Sequence, residues 1–241
     1  MQRVRSIEAI FFDGDQTLWD FETMMRRALA ATLAELHRLR PEVAREHPDL
    51  DVDSLIADRE EVAAELRGRE SNLERIRLVA FRRTLSRCGL EDNGLADHLN
   101  TYYLEHRFSN VLLYPDTVAA LTSLRADYRL GFLSNGNSYP DRCGLDGIFT
   151  AVVFAQDHGI SKPDRRIFDI AAAQIGLPPE RLVMVGDSLT KDVTAAQEAG
   201  WRGIWLNRTA APCPDEHRPD AEIATLEELP AVVESLASRS V

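Results

Sequence analysis

Short apolar stretches recur along this chain, at Ala9–Phe12, Leu130–Leu133, Ala151–Ala155, Leu182–Val185 and Gly203–Leu206. Most are unbroken rather than alternating, the pattern of strands covered on both faces. Helical spacings lie between the later ones. Val118, Leu121 and Leu124 precede the second run. Ile167, Ile170, Ala171 and Ile175 precede the fourth, with Gly176 as the expected C-terminal cap, and Val193 to Ala199 precede the fifth, ending at Gly200. Strands alternating with helices predict an α/β fold with a doubly wound, mainly parallel sheet.

Residues 20–110 break that rhythm. Met25, Leu29, Leu33 and Leu36 share a helical face, as do Leu73, Ile76, Ala80 and Thr84, and then Leu95, Leu99 and Tyr102. Val52, Leu55, Ile56 and Leu66 make a weaker fourth stripe, while Pro41 and the His47-Pro48 pair read as loops. The segment is expected to be an inserted all-helical domain of about four helices, its many charges forming solvated faces. The core domain is then 1–19 with 111–241, each boundary within about five residues. The stretch from Ala211 to Pro219, with three prolines, reads as an irregular surface loop.

Composition narrows the class. The 241 residues, 44% hydrophobic and 28% charged, are those of an ordinary globular chain of one or two domains. No apolar stretch approaches the roughly 18 residues of a membrane span, and the first strand begins too early for a secretory leader. Cys88, Cys143 and Cys213 lie far apart without metal-ligand spacing, which suits free thiols in a reducing cytoplasm. A formal charge of -11 opposes nucleic-acid binding. All but two of the 28 cationic residues are arginine, and the two lysines, Lys162 and Lys191, stand beside the residues considered next.

The first apolar run ends in Asp13-Gly14-Asp15-Gln16-Thr17. Positions i and i+2 of an extended chain face the same way, so both carboxylates can enter one crevice beyond the strand end. Their repulsion pushes one towards holding a proton unless a cation intervenes, which suits a nucleophile paired with a general acid and base. Gly14 between them permits tight turning and close approach. The second run ends in Ser134-Asn135-Gly136, a possible nest for phosphate oxygens and also an ordinary turn composition. Ser161-Lys162-Pro163-Asp164 precedes a helix, with Pro163 suited to its first position and Lys162 near its positive end. The fourth run ends in Gly186-Asp187-Ser188, with Asp192 one turn later. Asp13, Asp187 and Asp192 together offer the oxygen-rich ligands that Mg²⁺ prefers.

These four segments, in this order and over nearly the whole chain, resemble the haloacid dehalogenase superfamily. The resemblance implies a Rossmann-like core with an inserted helical cap that closes over a small-molecule substrate. It implies that Asp13 is a nucleophile forming an aspartyl-phosphate and that Asp15 is the acid and base. Thr17, Ser134 and Asn135, the last through its backbone, would hold the phosphoryl group, and Lys162 would neutralise charge on nucleophile and phosphate. Magnesium would be bound by Asp13, the Asp15 carbonyl, Asp187 and, less directly, Asp192. More than a hundred residues separate the first and second segments, whereas 27 (135–161) separate Ser134 from Lys162, so the extra domain lies in the first gap.

The implied activity is that of a magnesium-dependent phosphatase of a small phosphorylated metabolite, a cytoplasmic monomer or homodimer with no nucleic-acid or membrane partner. A 2-haloacid dehalogenase shares the fold and nucleophile, but characteristically lacks the second aspartate, here Asp15, and needs no magnesium. A sugar phosphomutase keeps the same residues, and a non-catalytic phosphate sensor is a further alternative. Trp19, Phe21, Arg26, Arg107 and Tyr139 are substrate-contact candidates on position alone. Trp19 and Phe21 are read first as packing between domains, and the cap arginines as surface charges.

Overall fold

The computed structural model describes residues 7–238, which divide into two compact units, Phe21–Leu112 and the segments flanking it. The flanking segments build a sheet of six strands: β1 (Ala9–Phe12), β2 (Arg129–Ser134), β3 (Ala151–Phe154), β4 (Leu182–Gly186), β5 (Arg202–Leu206) and β6 (Ala221–Ile223). Their order is β3-β2-β1-β4-β5-β6, and every neighbouring pair is parallel. The five apolar runs are the first five strands. The sixth, an edge strand of three residues with Glu222 at its centre, has no apolar run to betray it.

Burial on both faces explains the unbroken runs. On one face Ala9, Phe11, Leu133 and Met184 pack with Ile167, Phe168, Ala171 and Trp201. At about 25 cal/mol per Å² of apolar surface, such contacts supply most of the unit's stability. β1 lies at the middle of the sheet, with β2 on one side and β4 on the other. The crevice of an open α/β sheet forms where strand order reverses, beyond the carboxyl ends of these strands.

Each unit has its own helices. In chain order the insert contains α1 (Phe21–Leu39), α2 (Pro41–Glu46), α3 (Val52–Glu65), α4 (Leu73–Arg87) and α5 (Asn93–Ser109). The sheet unit adds α6 (Thr117–Leu124), α7 (Ala155–His158), α8 (Arg165–Ile175), α9 (Ala195–Glu198) and α10 (Leu229–Ser238). The insert therefore has five described helices rather than four. Pro41 does not mark a loop; it opens α2, where its missing N–H costs nothing and its fixed φ favours the helix. Asp51, Asn72 and Asp92 cap α3, α4 and α5 by accepting from backbone N–H groups. Leu29, Leu36, Phe81, Leu99 and Tyr103 form the insert's core. Its arginines are not all surface charges: Arg77 is nine-tenths buried and Arg107 wholly so.

The two chain crossings between the units lie side by side within the sheet unit. Trp19 and Leu113 form an antiparallel bridge, Tyr114 N donates to Leu18 O at 3.1 Å, and Thr117 Oγ1 donates to the same carbonyl at 2.8 Å. No described helix is long and apolar enough to cross a membrane.

Candidate active site

Three strand ends and one loop bring the charged residues together. Asp13 follows β1, Ser134 ends β2, Asp187 follows β4, and Lys162 lies in the loop before α8. Lys162 is 3% exposed, and its Nζ donates to Asp13 Oδ1 at 2.7 Å, to Asp192 Oδ1 at 2.5 Å and to the Leu133 carbonyl at 2.9 Å. Burial alone would lower its pKa, but the two carboxylates outweigh it and hold the ammonium well above the usual lysine range. One cation cannot neutralise two buried anions. Burial first, and then Asp192 and Asp15, push Asp13 up to about 8 against the pull of Lys162.

A third carboxylate adds to the excess. One oxygen each of Asp13, Asp187 and Asp192 lie within 4.8 Å of one another. Asp187 is exposed at its outer edge, yet desolvation by adjoining protein and the nearby Asp192 raise its pKa to about 6. Such hard oxygen donors around an uncompensated charge suit a divalent cation such as Mg²⁺. Asp192 reaches the crevice from a π-helical turn, Leu189–Thr194, which precedes α9. Its second oxygen accepts from Ser188 N at 3.1 Å. Lys191, the other lysine, is exposed.

Asp15 is held from two directions. Its Oδ1 accepts from Trp19 Nε1 at 2.7 Å. Its Oδ2 lies where Gly136 has no side chain; a Cβ there would fall 2.4 Å from that oxygen. The positive φ of this turn is at Gln16 (62°), not at Gly14. Gly14 is needed instead for close approach, since a Cβ on it would meet Trp19 at 2.5 Å and Phe132 at 2.8 Å.

The remaining sequence-derived residues fall nearby in the same unit. Ser134 is buried, its Oγ accepting from Gly136 N at 3.0 Å. Thr17 is fully buried, and its Oγ1 has no partner among the described residues. Asn135 uses its side chain to clamp the Lys162 backbone, donating to its carbonyl and accepting from its N–H, both at 2.9 Å. Pro163 does not open α8. Asp164 is the N-cap, accepting from Arg166 N at 2.9 Å, and Pro163 precedes it on a cis peptide bond.

Residues 7–200 match the family model described as haloacid dehalogenase-like hydrolase. The chain belongs to the haloacid dehalogenase-like hydrolases. Among its relatives, glyceraldehyde 3-phosphate phosphatase of Methanopyrus kandleri is 30% identical over 96% of this chain and 99% of its own. Phosphoserine phosphatase of Thermus thermophilus is 33% identical over 62% and 61%. The crystal structure of 2-haloacid dehalogenase from Pseudomonas syringae pv. Tomato is 30% identical, with a TM-score of 0.84 over 95% of this chain and 99% of the other. This haloacid dehalogenase-like hydrolase thus resembles both phosphatases and a dehalogenase.

Two supports of the hydrolase site escape sequence reasoning. Trp19 is fully buried and bonded to Asp15, so it is neither a stacking surface for substrate nor mere filler. Arg208 donates to both oxygens of Asp116, at 2.9 and 3.0 Å, and to the Thr17 carbonyl at 3.1 Å, with its guanidinium 4.0 Å from the Tyr114 ring centre. No local pattern signals the Arg208 pairings, whose partners lie 92 and 191 residues away. Arg26 ion-pairs with Asp53 at 2.8 Å, and the Tyr139 hydroxyl accepts from Gln156 at 3.1 Å.

Proposed function

We propose that this hydrolase is a magnesium-dependent phosphatase of small phosphate esters, working through an aspartyl-phosphate on Asp13. The observation carrying the reading is the charge imbalance: Asp13, Asp187 and Asp192 converge with Lys162 as their buried cation, and Asp15 stands beside them in a fixed orientation. A dehalogenase displacing halide has no evident use for that acidic excess or for a second aligned carboxyl. The phosphatase names of the Methanopyrus and Thermus relatives agree.

Asp13, Asp187 and Asp192, with the Asp15 carbonyl, would hold the metal. Bound there, Mg²⁺ removes the carboxylate repulsion, keeps Asp13 anionic at neutral pH and offsets phosphoryl charge. An Asp13 oxygen attacks phosphorus as the ester P–O bond breaks, and Asp15 gives its proton to the departing alkoxide. Asp15 then takes a proton from water, whose oxygen attacks the phosphoryl group. The P–O bond to Asp13 breaks, releasing phosphate and restoring both carboxyls. Thr17 Oγ1, buried with no partner among the described residues, and the Ser134 hydroxyl are donors for the phosphoryl oxygens. Asn135 serves by fixing Lys162 through the two bonds to its backbone.

The deciding assay compares phosphate release from p-nitrophenyl phosphate with halide release from 2-chloropropionate, each with Mg²⁺ and with EDTA. Phosphate release that EDTA abolishes is expected. Halide release without phosphate release would instead favour the dehalogenase reading, to which the Pseudomonas structure is the pointer.

A further inference from the structure

The two acids beyond β4 are joined through one peptide group. The Asp187 carbonyl accepts from the indole Nε1 of Trp205 at 2.9 Å. The N–H of Ser188, at the other end of that same peptide, donates to Asp192 Oδ2 at 3.1 Å. A peptide group is planar, so fixing its carbonyl also fixes its N–H. A single donor on β5 therefore bears on two of the three carboxylates whose oxygens lie within 4.8 Å of one another. Hydrogen bonds in such a series polarise and strengthen one another.

The sequence of β5 explains how the indole reaches this peptide. Gly203 and Trp205 stand two residues apart in the strand and so face the same side of the sheet. Gly203 leaves room there for the π-helical turn that carries Asp192, since a Cβ on it would fall 2.7 Å from the Val193 carbonyl oxygen. Trp205 pairs in register with Gly186, the residue before Asp187. Its ring is buried, and its one donor is committed to the Asp187 carbonyl. Trp201, just before the opposite end of β5, makes a contrast. It packs on Phe11 and Phe168, with ring centres 5.0 and 5.4 Å apart, and its Nε1 has no partner among the described residues. Packing alone houses that indole, whereas Trp205 is tied to the acidic turn.

We propose that Trp205 is a positioning residue for divalent-cation binding, locking the Asp187–Ser188 peptide so that Asp187 and Asp192 are preset towards one ion. The proposal rests on the metal half of the phosphatase reading. Its test is calorimetric titration of Mg²⁺ into the metal-free full chain, with no substrate present. Trp205→Phe, which keeps an aromatic ring but no donor, is expected to raise the Mg²⁺ Kd about 10–100-fold. Trp201→Phe, the same exchange at the far end of the strand, should leave it unchanged. Trp205→Gln carries an amide N–H the same number of bonds from Cα, and should bind Mg²⁺ more tightly than Trp205→Phe. A role in packing alone predicts the reverse order. If Trp205→Phe does not fold, NMR of the wild type gives the answer. The chain has three tryptophans, so Trp19→Phe and Trp201→Phe assign the indole N–H signals by elimination. The Trp205 signal should shift on saturation with Mg²⁺ while that of Trp201 holds. Equal Kd values for wild type and Trp205→Phe, tighter binding by the Phe than the Gln variant, or an unmoved Trp205 signal at saturation overturns the role of Trp205 and leaves the metal site standing. No Mg²⁺ binding by the wild type overturns the metal reading and this assignment with it.

Discussion

Lys162→Met tests the charge arrangement at its centre. The side chain keeps most of its length but loses the ammonium that bridges Asp13 at 2.7 Å and Asp192 at 2.5 Å. Removing one partner of a buried ion pair costs about 3–5 kcal/mol, because the other charge is stranded. For a chain of this size that is a fall in Tm of about 6–20 °C. The fall should depend on pH with a definite sign. Asp13 already sits at about 8 in the folded chain against its ordinary 3.8. A carboxyl raised on folding contributes stability that is complete below the lower value and lost as pH rises through the higher. Without Lys162, whose charge pulls it down, Asp13 is held higher still. The gap between wild type and variant should therefore be small near pH 3.8 and widest above pH 8. Calorimetry in EDTA measures it, and added Mg²⁺ should recover part of the loss by supplying positive charge from another source. Equal Tm values at neutral pH without metal would refute the reasoning.

Three further outcomes follow from contacts to the same site. Trp19→Phe removes the donor 2.7 Å from Asp15. A hydrogen bond to a charged group is worth about 1.5–3 kcal/mol, so kcat should fall about 10–100-fold with an unchanged circular dichroism spectrum; an unaltered kcat would deny Trp19 a positioning role. Gly136→Ala forces a methyl against Asp15 Oδ2 and should lower kcat, with about 1–3 kcal/mol of destabilisation visible in urea unfolding. Although burial opposes it, the bonds from Arg208 and from Leu226 N hold Asp116 below its ordinary 3.8, so its stabilising share is present above that value and lost as pH falls through its folded value. Asp116→Asn should therefore flatten the acid limb of an unfolding-against-pH curve.

Much of the architecture was legible because the central strands are buried on both faces and so leave unbroken apolar runs. β6 escaped because its three residues, at the sheet edge, bury only Ile223 fully. α2 escaped because a single turn and a half gives little periodicity, and because a proline that opens a helix looks like one that ends a loop. Asp13, Asp15, Ser134, Lys162 and Asp187 were readable as polar residues just after strands or before a helix, and Asp192 as an acid one turn beyond Asp187. Arg208 was not, since its partners stand 92 and 191 residues away and only the fold joins them. The buried arginines were misjudged for a related reason. A guanidinium can be housed against aromatic faces such as Tyr103 and Phe108, which composition treats simply as core.

The bridge between Trp19 and Leu113 has an evolutionary and practical reach. Opposed residues of an antiparallel pair stand only about 5 Å apart, so the sheet unit presents two neighbouring sockets rather than two distant ends. Anything whose own termini nearly touch can be plugged in there without disturbing the strands, as can a short turn. The fastening does not depend on what is plugged in: Leu18, Tyr114 and Thr117 supply it from the sheet side. A chain in which residues 21–112 are replaced by a tight loop should therefore retain a folded sheet, and exchanging inserts between relatives becomes a matter of grafting rather than redesign.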